Sequence, residues 1–461
     1  MKQKNTVFIL CLLAVVSIFI FLRFYNIQQR FAFAWDQENI SNEAYKILVN
    51  KKISLLGPRA NNDLGFYLGP YFTFLITPFF ALTHLHPNAL ILFVFINALL
   101  FIYLSIYVIS SLFSRKIAIL FLFIWGINIS LINNDITAWW PVLIPNGILL
   151  FLLLTHKIYK EDKLLNSVYL GLLCGFFTNM HFQFSFVTLA AILVPLLKNS
   201  SLRRKITFML LFTISFLVTL LPLLFFDLRH DFLNLNLFLN FFFGKSHSQL
   251  GGKFFALTPV VLNIVKSIFP TNNQIVLILC GLIISALPIY FVNNQKKSFE
   301  RQLWLIVSFL YMVTIVGFMI YGKRPSEYYF LFLMPFIILS ICKFAFTNIY
   351  TKVLLALFIV WNILGNSMVY FTNLTVPPYL NMQVKEKTIL EIKKIVKNKS
   401  VNVGFDVPLG QDNGFRYLMK VHDLKESGNM KDPMIGVNVP PKKNDILIDA
   451  NLGIRVPKEL K

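Results

Sequence analysis

"VFILCLLAVVSIFIFLRFYNIQQRFAFAWDQENISNEAYKIL", residues 7–48, begins as an apolar run ending at Leu22. It then passes Arg23 and Arg30 before reaching the carboxylates Asp36 and Glu38. "AFA" at 32–34 imitates a small-residue cleavage site. It lies roughly ten residues past the apolar run and beyond two arginines, too far and too charged for a signal peptide. The run is therefore expected to stay as an uncleaved signal anchor with a cytoplasmic N-terminus, placing Asp36 and Glu38 near headgroup level on the outer side. After them Ile40, Ala44, Ile47 and Leu48 line one face at helical spacing, while Asn42, Glu43 and Lys46 line another. That pattern reads as an interfacial helix that fixes the carboxylates at the membrane surface. The alternative is a solvated juxtamembrane loop.

The rest of the chain repeats the membrane signal. Of 461 residues, 56% are hydrophobic and 14% charged, against about 25% charged in soluble domains. Net charge is +22, but many basic residues lie in short loops between apolar runs, where they act as topology signals. Nucleic-acid binding is not expected. Cys11, Cys174, Cys280 and Cys342 fall in or beside apolar segments with no CxxC or Cys/His cluster, so neither a disulfide framework nor a zinc site is indicated.

Apolar runs approaching the roughly 20 residues of a span start near Val7, Ala89, Ile117, Val142, Leu164, Gln183, Ile206, Gln274, Leu303, Tyr328 and Lys352. Threading these eleven from a cytoplasmic N-terminus puts every basic loop (114–116, 156–163, 198–205, 293–302 and 343–352) inside, as the positive-inside rule requires. Residues 67–85 would invert this order if they spanned. Broken by Gly69, Pro70 and Pro78, they are read as re-entrant or interfacial on the outer side. The outer face then receives 26–88, 133–140, 227–273, 322–327 and the tail from about 372. In that tail, 384–399 forms an amphipathic helix through Ile389, Ile392, Ile395 and Val396. "SVNVGFDVP", "PMIGVNVP" and "DILIDA" read as short strands. The expected fold is an all-α polytopic module (1–371) followed by a small soluble α/β domain (372–461), separable from it.

Candidate chemistry concentrates in the outer connections. "NNDITAWW" (133–140) adds Asp135 beside Trp139 and Trp140, whose tandem rings are interfacial anchors or a stacking surface. His181 lies at an outer turn and is either structural or functional. Arg229 and His230, in "FFDLRHDF", and Lys323 and Arg324, in "YGKRPSEYYF", form basic clusters that would hold a lipid phosphate or simply snorkel. There is no P-loop, GxSxG, HExxH or nucleotide-binding Gly fingerprint. Charges are nearly absent inside the spans, which argues against ion pumps and proton-coupled transporters.

These motifs together resemble the glycosyltransferase-C superfamily, especially glycosyltransferase family 39 with its protein O-mannosyltransferase and lipid A aminoarabinose transferase relatives. The resemblance rests on "WDQE", "GPYFTFLITPFF", "AWWPVLIPNGILLFLLL", "GLLCGFFTNMHFQF", "LPLLFFDLRHDFLN" and "SEYYFLFLMPF", in that order. Trp140 and Asn179 depart from the family's Asn and Gln. Membership implies transfer of a sugar, with inversion, from a polyprenyl-phosphate donor to a glycan, lipid or protein acceptor. The setting would be the outer face of the cytoplasmic membrane. It implies Asp36 as base, with Glu38 or Asp135 assisting or holding a divalent cation (Mg or Mn). Arg324, Lys323 and Arg229 are implied on the phosphate, with His230, His181, Tyr67 and Trp139 as further substrate contacts. A non-catalytic subunit or a flippase for lipid-linked glycans is the competing reading.

Overall fold

The computed structural model describes residues 2–60, 65–161, 163–243, 262, 265–295, 298–321, 325–376, 378, 380–397, 399–429 and 432–460. Each of the eleven expected apolar runs lies on helix, and the protein is a multi-pass membrane protein. Five helices are long and apolar enough to cross a bilayer: Thr6–Phe24, Asn88–Leu112, Trp140–Glu161, Gln274–Asn294 and Phe299–Ile320. Three more segments are helix pairs, bent by 79° after Ile127, 55° after Val218 and 47° after Gly365. The breaks have local causes. Asn128 leaves helical geometry and caps the second half by accepting from the Leu131 amide. Pro222 opens the helix Leu221–Arg229, and Gly365–Asn366 ends Ile349–Gly365.

The remaining three runs are shorter than a full span: Leu165–Met180, Phe184–Leu197 and Met334–Ala345. The segment 67–85 contains a helix of only 12 residues, Tyr71–Leu82. At 1.5 Å per residue it covers about 18 Å, too little to cross a membrane.

The first span ends in a buried ionic knot. Arg23, fully buried, donates from Nε to Asp135 Oδ2 at 2.8 Å and to the carbonyls of Trp125 and Gly126. Trp125 Nε1 donates to the same carboxylate oxygen at 3.0 Å. The break at Asn128 brings Asp135 back over Arg23.

The helix expected to begin near Ile40 begins at Trp35. Gln37 Oε1 accepts from the Ala34 amide, and the Glu38 amide bonds to the Ala34 carbonyl, closing the first turn early. The helix packs one face against protein. Its buried stripe is Gln37, Ile40, Ser41 and Ala44, packed against Tyr71–Leu82 and the tail helix Phe415–Val421.

The tail comprises the helices Met382–Val396 and Phe415–Val421 and a four-stranded sheet: β1 (Asn402–Asp406), β2 (Met434–Asn438), β3 (Ile446–Leu447) and β4 (Gly453–Arg455). The sheet order is β1-β2-β4-β3, with β1 and β2 parallel and the other pairs antiparallel. Strand β4 was not anticipated, being only three residues long. Ile389, Ile392 and Val396 bury the expected helix face.

The tail shares a continuous hydrophobic core with the membrane module. Lys385 Nζ donates to the carbonyls of Phe33 (2.9 Å) and Asn413 (2.6 Å). The Met382 amide bonds to the Phe31 carbonyl, and Tyr417 Oη donates to that of Leu85 at 2.7 Å.

Candidate active site

Asp36 sits in the first turn of Trp35–Leu48 and lines a cavity of about 250 Å³. Segments distant in sequence close around it: Arg59 and Phe66 from the first outer connection, Trp139 and Trp140, His181 to Gln183, and Ser326 to Tyr329. Among the described residues no hydrogen bond or ion pair reaches the Asp36 carboxylate. Burial alone pushes its pKa up to about 6, because removal from water disfavours the charged form. A carboxyl tuned to this range can take a proton near neutral pH.

The wall opposite is aromatic. Trp139 and Tyr328 meet edge-on at 4.5 Å, Tyr328 and Tyr329 at 4.6 Å, and the buried His181 ring lies 5.9 Å from Tyr328. Trp139 Nε1 is buried without a hydrogen-bond partner among the described residues. An indole N–H left unpaired is costly in a protein interior and offers a donor to a bound ligand.

Arg59 is the cation of the cavity that sequence reasoning missed. Its Nε donates to the Gly65 carbonyl at 2.7 Å, and its guanidinium lies 5.4 Å from the Tyr67 ring centroid. No carboxylate among the described residues pairs with it, so further N–H groups remain for an anion. It is the single arginine between Arg30 and Arg115, bracketed by turn residues in "GPRANN". That isolation is the signal in the sequence, fainter than the clustered cations just beyond the spans.

A second, apolar cavity of about 700 Å³ adjoins the first and shares Phe66, Leu68 and Phe182 with it. Tyr67 lines this one, its backbone clamped both ways by the Asn234 amide: Tyr67 N–H donates to Oδ1 at 2.7 Å and its carbonyl accepts from Nδ2 at 3.2 Å. Asn179, at one of the family departures, also lines it and receives the Gly69 amide on its carbonyl at 2.9 Å.

Several expected residues are placed elsewhere. Glu38, two residues from Asp36, points to the other side of the helix, because successive helical residues turn by about 100°. It is buried and accepts the Tyr417 amide at 3.0 Å. Asp36 and Glu38 therefore face different neighbours. Asp135 is committed to Arg23 and Trp125. Arg229 and His230 are exposed and line neither cavity; the His230 ring stacks on Phe226 at 4.1 Å. Lys323 and Arg324 lie outside the described residues.

The fold now has solved counterparts. ArnT from Cupriavidus metallidurans bound to undecaprenyl phosphate matches with a TM-score of 0.59 and 12% identity, over 96% of this chain and 97% of that one. Its apo state matches with a TM-score of 0.54 and 13% identity, over 98% of both chains. This chain shares the fold of those two ArnT structures.

The archaeal oligosaccharyltransferase AglB from Archaeoglobus fulgidus, in complex with an inhibitory peptide and a dolichol-phosphate, matches with a TM-score of 0.50 and 13% identity. That match covers 91% of this chain and 60% of the AglB chain. No family model matches the sequence, and no curated protein matches it.

Proposed function

We propose that this protein is a membrane glycosyltransferase that moves a sugar from a polyprenyl-phosphate donor to an acceptor on the outer face of the cytoplasmic membrane. The observation that carries the reading is Asp36: a carboxylate without a polar partner among the described residues, tuned to about 6, in a cavity beside a larger apolar groove. ArnT is bound to undecaprenyl phosphate and AglB to a dolichol-phosphate. The apolar groove suits a prenyl chain of that kind here.

The chemistry is a single displacement. The acceptor oxygen attacks the anomeric carbon while its proton passes to the Asp36 carboxylate. The bond from that carbon to the phosphate oxygen breaks, and its electron pair leaves with the polyprenyl phosphate. One attack from one side inverts the anomeric centre. Charge grows on the leaving phosphate, where Arg59 would stabilise it through charge-assisted hydrogen bonds. Arg324 and Lys323 remain candidates for that phosphate on sequence grounds alone. Trp139, Tyr328 and His181 present ring edges and the free indole N–H to the sugar.

The test is mass spectrometry of lipid-linked sugars and envelope glycans in cells carrying Asp36→Asn. Accumulated donor and missing product, matching a deletion strain, are expected. Full complementation by Asp36→Asn would remove the enzymatic reading and leave the flippase or non-catalytic subunit.

A further inference from the structure

Away from both cavities, three metal-ligating side chains from three separate elements converge. His86 lies in the turn before Asn88–Leu112, Glu386 on Met382–Val396, and His422 just after Phe415–Val421. His86 Nε2 lies 2.6 Å and His422 Nε2 3.0 Å from the same oxygen, Glu386 Oε1. The three ligand atoms all fall within 4.8 Å of one another, and the side chains are half-buried, so an ion has access. We propose that His86, Glu386 and His422 form a zinc site that staples the C-terminal domain to the first outer connection of the membrane module.

The donor set selects the metal class. Two imidazoles and one carboxylate, with a fourth position open to water, is a zinc ligand set. Magnesium and calcium prefer all-oxygen shells, and no thiol is present to favour softer ions. Zinc bonds of about 2.0–2.1 Å at tetrahedral angles separate neighbouring ligand atoms by roughly 3.3 Å. The His86–Glu386 distance of 2.6 Å needs to open by about 0.7 Å and the His422–Glu386 distance of 3.0 Å by about 0.3 Å to admit the ion.

Both histidines are also presented from constrained turns. His84 and Leu85, directly before His86, have φ of 52° and 68°, and Asp423, directly after His422, has φ of 53°. None of these is glycine, so the left-handed geometry is held by the surrounding fold.

One contact opposes loading and sets its chemistry. The Asn88 amide donates to His86 Nδ1 at 3.1 Å, which places the neutral ring's proton on Nε2, facing Glu386. Zinc needs Nε2 unprotonated and Nδ1 carrying the hydrogen. Binding therefore moves the ring's single proton from Nε2 to Nδ1, with no net release, and the ring must give up the Asn88 contact. Asn88 is the first residue of its helix, where amide donors lack intrahelical partners and turn readily to water. One neutral hydrogen bond is weak against three metal–ligand bonds. His422 Nδ1 faces no such competing donor among the described residues.

The full chain, purified in detergent without a histidine tag and stripped with chelator, is titrated with zinc in a competing-chelator buffer. Bound metal is then measured by mass spectrometry. One zinc per chain is expected, with affinity falling roughly 100-fold or more in His86→Asn and His422→Asn and unchanged in Asp36→Asn. Limited proteolysis should show zinc slowing cleavage of the C-terminal domain in the wild type and not in Glu386→Gln. Absence of stoichiometric zinc in the wild type would overturn the proposal and leave a hydrogen-bonded His–Glu–His contact. Equal zinc retention in both histidine variants would likewise overturn it, and loss of zinc in Asp36→Asn would place the metal in the other cavity instead.

Discussion

At Asp36, burial raises the carboxyl from 3.8 to about 6 with no hydrogen bond to offset it, so its position weakens the fold at neutral pH while equipping it as a base. Asp36→Asn should lower transfer by about 10²–10⁴-fold with donor binding little changed, as single-turnover assays and donor titration would read. Wild-type transfer should fall about tenfold per pH unit below about 6, as the base becomes protonated. Stability runs the other way. The folded state holds the proton more tightly than the unfolded state, so stability rises as pH falls from about 6 towards 3.8. Asp36→Asn should accordingly melt at a higher temperature than wild type at pH 8. Arg59→Ala differs in kind: a lost charge-assisted phosphate contact of about 1.5–3 kcal/mol should weaken donor binding itself. Unchanged donor affinity would remove Arg59 from the phosphate site. Asp135→Asn should fail differently again, because it strips the counter-ion from the fully buried Arg23. Breaking such a pair costs about 3–5 kcal/mol, seen as lower yield and melting temperature, while each folded molecule keeps its chemistry.

Among the elements, the helix Trp35–Leu48 and the loop 65–70 carry the geometry of the site. The helix begins at Trp35 because Gln37 reaches back to Ala34, and that early start sends Asp36 and Glu38 to different neighbours. The loop runs between the two cavities and presses Gly69 against Asn179. A Cβ at Gly69 would lie 2.5 Å from Asn179 Oδ1 and 2.7 Å from its Cβ. Asn179 has little room to retreat, since its Nδ2 donates to the carbonyls of Gly175 and Thr219. Gly69→Ala should therefore displace the loop at a cost of about 1–3 kcal/mol and impair transfer together with donor binding. Asn179→Gly, which removes the opposing Cβ as well as Oδ1, should restore part of both when combined with it, and strict additivity of the two substitutions in a double-mutant cycle would refute the clash.

On the scale of the molecule, the tail is a support for the helix Trp35–Leu48. Tyr417 donates its amide to Glu38, Lys385 donates to the Phe33 carbonyl, and Lys420 donates to Asn42 Oδ1 at 2.9 Å. Phe31 and Phe33 are 2% and 0% exposed beneath it. A separable accessory domain would be lost without consequence for donor binding. Ending the chain after Asn381 should instead lower the melting temperature of the membrane-inserted protein and abolish transfer, because Glu38 loses its donor and the Asp36 helix its backing. Normal donor binding and wild-type melting in the truncated protein would restore the separable domain.

The sequence by itself determined the polytopic class, the eleven helical runs, the short broken segment at 67–85 and the mixed tail. These follow from local sums: hydropathy along a run, charge in a loop, spacing along a helix. Only the tertiary structure decided which carboxylates were free. Asp135 and Glu38 carried the same signal as Asp36, but their partners are Arg23, 112 residues away, and Tyr417, 379 residues away. Arg59 shows the converse, a single cation in a turn whose neighbours in space come from the far ends of other helices. Burial and partner choice at such positions are set by contacts between segments, and those contacts exist only once the chain has packed.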